Sequence, residues 1–184
     1  MRKLIVISGD LAAGKSTLAD ALSSSFNIPC YKKDTIKEIL CDSIGFKNRE
    51  ENLKLSIATM NVMLHIFEES AKQGTDLILE ANFHGDELTR IYELVKKHQY
   101  TVCLLLLTGD KEVLYKRFMD RVPTRHRAHL SAGLDKNFEN FSTYIDELRK
   151  GKFLFPIHKI DITYLSREEV MDKAIEYLKF SQIV

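Results

Sequence analysis

Ile7-Ser8-Gly9-Asp10-Leu11-Ala12-Ala13-Gly14-Lys15-Ser16-Thr17 is the stretch that decides the fold. Gly9, Gly14, Lys15 and Ser16 satisfy the spacing GxxxxGK[ST], with an apolar run, Leu4 to Ile7, before it and a helical pattern after it. Each position has a physical reason. Gly9 and Gly14 let the backbone turn its N–H groups inward around phosphate oxygens with no Cβ in the way. The helix opening at Lys15 adds unpaired amides and the positive end of its dipole. Lys15 is expected to reach the β- and γ-phosphates of a nucleotide, and the Ser16 hydroxyl to hold Mg²⁺. Gly9, Asp10 and the run Ala12, Ala13, Gly14, Lys15, Ser16 and Thr17 are the expected nucleotide contacts.

Working outward, short apolar runs alternate with longer helical patterns. Strands are predicted at 3–8, 29–31, 77–81, 101–107 and 157–162. Helices are predicted near 15–26, 35–42, 51–73, 85–98, 110–122, 135–149 and 167–180. This alternation implies parallel strands joined by helical crossovers, an α/β domain with helices on both faces of its sheet. Within 51–73, Leu53, Ile57, Met60, Leu64 and Phe67 form a stripe expected to face the core.

The 184 residues suggest one domain over 1–184, and 45% apolar with 29% charged residues is an ordinary globular balance. The longest apolar run, Val102 to Leu107, is far short of the roughly 18 residues that span a bilayer, so no membrane partner is expected. Cys30, Cys41 and Cys103 are odd in number and form no CxxC pair, the pattern of free thiols in a reducing compartment; a cytoplasmic protein is expected. The net charge of +1 disfavours a surface built to grip nucleic acid. Its distribution is uneven, however: residues 111–127 carry +4 and the remainder −3.

Other groups complete a phosphotransfer site. Asp34 lies just past the second strand, and Thr35 with Glu38 forms a T-x-x-E pair expected to cap the next helix. Asp34 is then free to orient or deprotonate an acceptor hydroxyl, or to help bind the metal. Glu80 ends a buried strand, where a carboxylate can hold Mg²⁺ or polarise a nucleophile. Asn82 and His84 follow it as substrate contacts. Arg117 and Arg121 share a helix face, and Pro123 is expected to end that helix ahead of Arg125 and Arg127. The segment near 111–134 reads as a lid. Arg117, Arg121 and Arg125 would face ATP, and Arg127 the acceptor. His126 and His129 lack partners at zinc-ligand spacing, so no zinc site is expected.

On these residues the chain resembles the small P-loop kinases of the shikimate, gluconate and adenylate kinase type. The resemblance is greatest to kinases with an AAA-type ATP-binding domain, near chloramphenicol phosphotransferase and zeta toxins. It runs through Gly9–Thr17, Asp34, Glu80-Ala81-Asn82-Phe83 and Arg117 to Arg127. It implies a five-stranded parallel sheet of order 2-3-1-4-5, ATP and Mg²⁺ as cofactors, and an acceptor-side acid at Asp34. Lys32 stands where shikimate kinases carry an earlier acid, and no Gly-Gly pair follows the third strand, which disfavours shikimate itself. The acceptor is then a hydroxyl of a small molecule. The alternatives are a nucleotide or nucleic-acid 5′-end as acceptor, and a regulatory ATP-binding protein with little catalysis. The oligomeric state is left open.

Overall fold

The computed structural model describes residues 2–83, 85–130, 133–151 and 153–184. Its sheet has five parallel strands: β1 (Arg2–Gly9), β2 (Cys30–Lys32), β3 (Leu77–Glu80), β4 (Tyr100–Thr108) and β5 (Ile157–Asp161). Their order is β2-β3-β1-β4-β5, as the resemblance implies. The connections carry α1 (Lys15–Phe26), α2 (Lys33–Ile44), α3 (Arg49–Gln73), α4 (Gly85–His98), α5 (Lys111–Arg121) and α6 (Phe138–Arg149). Helix α7 (Arg167–Phe180) closes the chain behind a Ser166/Glu169 capping box. No described helix is long and apolar enough to cross a membrane.

Both faces of the sheet are covered, which is why its central strands are apolar without alternation. Ile5, Ile7, Cys103, Leu105 and Leu107 pack with Leu18 and Leu22 of α1, Leu114 and Phe118 of α5, and Leu178 of α7. Leu4, Val6, Leu77, Leu79 and Leu104 pack with Met63 and Phe67 of α3 and Leu88 and Ile91 of α4. All five strands end on one edge, and the loops there hold the candidate site, as ligand sites of open α/β sheets do.

Two local expectations are corrected. Helix α2 starts at Lys33, directly after β2, with extended Lys32 at its N-cap and no side-chain cap bond. Thr35 is therefore inside the helix and does not cap it. No linking residue separates β2 from α2, so the first turn forms early and Asp34 supplies the negative charge that a helix N-terminus favours. The stripe on α3 is also displaced. Leu53 and Ile57 are 58% and 54% exposed, whereas Leu55, Met60, Met63, Leu64 and Phe67 are buried. The first turns of α3 meet only a small cluster with Cys41 and Ala128, while the later turns lie on the sheet. The buried face therefore follows two different neighbours rather than one straight stripe.

Gly9 ties the phosphate loop to the sheet. Its φ is 130°, and an added Cβ would lie 2.0 Å from the Leu107 carbonyl oxygen. Gly9→Ala is expected to lower the melting temperature drastically or prevent soluble folding. Gly85→Ala, with open space at its Cβ position, should stay within about 1 kcal/mol of the parent. Circular-dichroism melts compare the two.

Candidate active site

Gly14 caps α1 with φ 83°, a left-handed conformation that glycine adopts without strain. Ala12 also has positive φ, at 60°, a less common state for a residue with a Cβ. This geometry curls the loop around the Lys15 ammonium, which donates to the Asp10 carbonyl at 2.7 Å and the Gly9 carbonyl at 3.3 Å. Burial pushes the Lys15 pKa down, opposed first by Glu80, then by Asp34 and Asp10.

Glu80, 4% exposed, stands opposite at the end of β3. The Ser16 hydroxyl donates to its Oε2 at 3.1 Å. Burial raises the Glu80 pKa, and the Lys15 charge opposes that rise. A hydroxyl and a carboxylate side by side next to a phosphate loop are hard oxygen donors, which suit Mg²⁺. Ser16 and Glu80 therefore fit the ion that the sequence implies.

These groups line a cleft of about 620 Å³ that also takes in Asp34, Asn82, Arg117, Arg121 and Arg125. The structure thus brings together the loop, both acids and three of the four arginines. The acid at 34 is exposed on the first turn of α2, and its charge bears on Lys15, Arg125 and Tyr144. Burial lowers the Arg125 pKa, while its guanidinium sits 4.9 Å from the Phe118 ring centre. As Pro123 requires, α5 stops at Arg121 and a single 3-10 turn over Val122–Thr124 follows.

Arg127 is not brought to the cleft. Its guanidinium donates to the Cys41 carbonyl at 3.3 Å and Asp42 at 3.4 Å, at the end of α2. The whole 126–129 segment is docked there. His126 meets Asp42 at 3.2 Å, His129 meets Glu38 at 2.7 Å, and Ala128 is sealed beneath α2 and α3. Acids four residues apart on α2 attract these bases, and that holds Arg127 outside the cleft. His84 lies outside the described residues.

Sequence reasoning missed three contributors. Arg149, the last residue of α6, donates to Asp10 at 3.2 and 2.5 Å and to the Gly109 carbonyl at 2.6 Å. Asp10, 2% exposed, also accepts from the Gly109 amide at 3.2 Å. Its side chain thus anchors the loop. In the sequence, Arg149 reads as an ordinary basic helix end, and nothing in the spacing relates it to position 10. Leu165 and Arg167, before and at the start of α7, also line the cleft. The Ser166 capping box was their only signal.

Two outcomes follow from these environments. Because burial raises the Glu80 pKa, the contribution of this group to stability is full below its ordinary value near 4.5 and is lost as pH rises through the raised native value. Glu80→Gln removes that loss. Melting curves from about pH 4 to about pH 7 should therefore shift in favour of the variant as pH rises. Arg149→Leu strands a buried carboxylate at Asp10 and should cost about 3 kcal/mol in urea unfolding. Adding Asp10→Asn should recover part of it, since the stranded charge is gone.

A family described as an AAA domain matches residues 5–143. A search of curated proteins finds no match. Among solved structures, a "putative kinase" from Chloroflexus aurantiacus is similar over 100% of this chain and 98% of its own, with 24% identity and a TM-score of 0.80. A gluconokinase from Sinorhizobium meliloti is 16% identical, with coverage of 98% and 94% and a TM-score of 0.65. A shikimate kinase from Aquifex aeolicus is 18% identical, with coverage of 98% of each chain and a TM-score of 0.62. With its sheet order, its phosphate loop and three quarters of its length matched, the chain belongs to the AAA domain family and has the P-loop kinase fold.

Proposed function

We propose that the chain is an ATP-dependent kinase that transfers the γ-phosphoryl group of ATP to a hydroxyl of a small molecule. The observation that carries this reading is convergence. Lys15 and Ser16 from the loop, Asp34 from α2, Glu80 from β3 and the arginines of α5 and its exit line one cleft of nucleotide size.

In this reading the loop amides and the Lys15 ammonium hold the β- and γ-phosphates. Arg117, Arg121 and Arg125 stabilise charge on the phosphoryl oxygens as it is redistributed. Ser16 and Glu80 would hold Mg²⁺, with Asp34 near enough in charge to assist. When bound, Mg²⁺ would supply countercharge to the phosphates. Asp34, exposed at the cleft mouth, accepts the proton of the incoming hydroxyl and orients its oxygen toward phosphorus. Asn82 contacts the acceptor. The adenine would lie toward Leu165 and Arg167. The gluconokinase and shikimate kinase likenesses favour a small acceptor. The reading places the protein in the cytoplasm, where ATP is supplied.

Lys15→Ala should abolish acceptor-stimulated ADP release across a panel of hydroxylated metabolites while leaving the circular-dichroism spectrum unchanged. Asp34→Asn should lower turnover at least about 100-fold, with ATP affinity little altered. Full turnover in Lys15→Ala would sink the reading. An ATP-binding protein that no acceptor stimulates would point to a regulatory role instead.

A further inference from the structure

A second cavity, of about 130 Å³, lies at the same edge of the sheet. Its lining includes Leu106 and Thr108, which share a sheet face with Leu104, the face opposite α1. Phe83, Leu106, Leu148 and Phe153 give it hydrocarbon walls, and Asn82 and Thr108 contribute polar groups. Ser8, the bonded pair of Asp10 and Arg149, and Lys159 also border it. Asn82 also lines the phosphate cleft, so the two spaces meet at that residue. Phosphate binding does not require these walls. They come from four separate places in the chain: the end of β3, strand β4, the end of α6 and its link to β5.

Two atoms here are out of balance. Asn82 Oδ1 and Thr108 Oγ1 are buried and have no hydrogen-bond partner among the described residues. Thr108 is only 5% exposed. Leaving such a group unpaired costs roughly 1–3 kcal/mol, so native structures nearly always satisfy it. By contrast, the Phe83 amide N–H is held by the Ser8 hydroxyl at 3.3 Å, which fixes that wall.

We propose that this cavity seats the non-reacting end of the acceptor, a compact aromatic or largely apolar group that carries a hydrogen-bond donor. This rests on the kinase reading and names the acceptor class it implies. The volume equals about four waters at roughly 30 Å³ each, enough for a single ring. Against these four hydrocarbon side chains a polyol's hydroxyls would lack partners, and Asp10 and Arg149 at the border are already bonded to each other, so the space favours an apolar group. An N–H or O–H on the ring's substituent would instead meet Asn82 Oδ1 at the junction. The reactive hydroxyl would then extend into the cleft.

The test uses benzyl alcohol and xylitol as probes on the full chain with ¹³C-labelled leucine methyls. Benzyl alcohol should shift the Leu106 and Leu148 methyl signals, and xylitol should not. Leu106→Trp, which fills the space, should abolish the Leu148 shift. Phe153→Ala, a milder change that guards against misfolding of the first variant, should weaken binding by about tenfold. No shift with benzyl alcohol, equal shifts with xylitol, or a Leu148 shift that survives in Leu106→Trp would overturn the assignment.

Turnover separates the two readings. Stimulation of ADP release by aryl alcohols, lost in Leu106→Trp, supports the proposal. Stimulation by polyols alone, unaffected by that variant, overturns it and leaves the kinase reading intact. If no acceptor stimulates ADP release, the kinase reading fails and the acceptor assignment falls with it; the methyl shifts then report only whether the cavity binds an aryl group.

Discussion

An ammonium group taken out of water must be surrounded by oxygen, and at Lys15 that requirement organises the site. The adjacent Gly9 and Asp10 carbonyls accept from it, and the Glu80 carboxylate at the end of β3 supplies the countercharge. Glu80 is in turn buried, and its charge is tolerated largely because Lys15 faces it. Each charge offsets part of the burial penalty of the other. The loop, the end of β3 and the start of α1 therefore form one electrostatic unit, preorganised for a ligand that carries several negative charges.

That unit holds its shape because it is fastened from behind. Gly9 passes so close to the Leu107 carbonyl that no side chain fits between them. Asp10 accepts from Arg149 and from the Gly109 amide, and Arg149 also donates to the Gly109 carbonyl. A segment 139 residues downstream thus fixes the second residue of the loop. The loop is a rigid bracket, while the exposed Asp34 and the arginines around it can adapt to what enters.

Much of this was legible in the chain, and the legible part was local. The loop motif, the alternation of strand and helix, Glu80 at a strand end and the stop at Pro123 each follow from neighbours a few residues apart. What escaped the sequence was relational. The Arg149 contact with Asp10 has no signature in spacing. The docking of Arg127 depends on acids that become neighbours only when α2 folds. Leu53 and Ile57 kept the helical period, yet the period does not say where along a helix the sheet begins. Thr35 matched a capping pattern, but tertiary placement started α2 two residues earlier.

The docked stretch at 126–129 has a mechanical consequence. It grips α2 at Glu38, Cys41 and Asp42, and its Ala128 carbonyl accepts from Asn52 of α3 at 3.0 Å. Asp34 belongs to the same helix. The arginine-bearing arm and the Asp34 carboxylate thus ride on a common lever, and a displacement of α2 would carry both in one stroke.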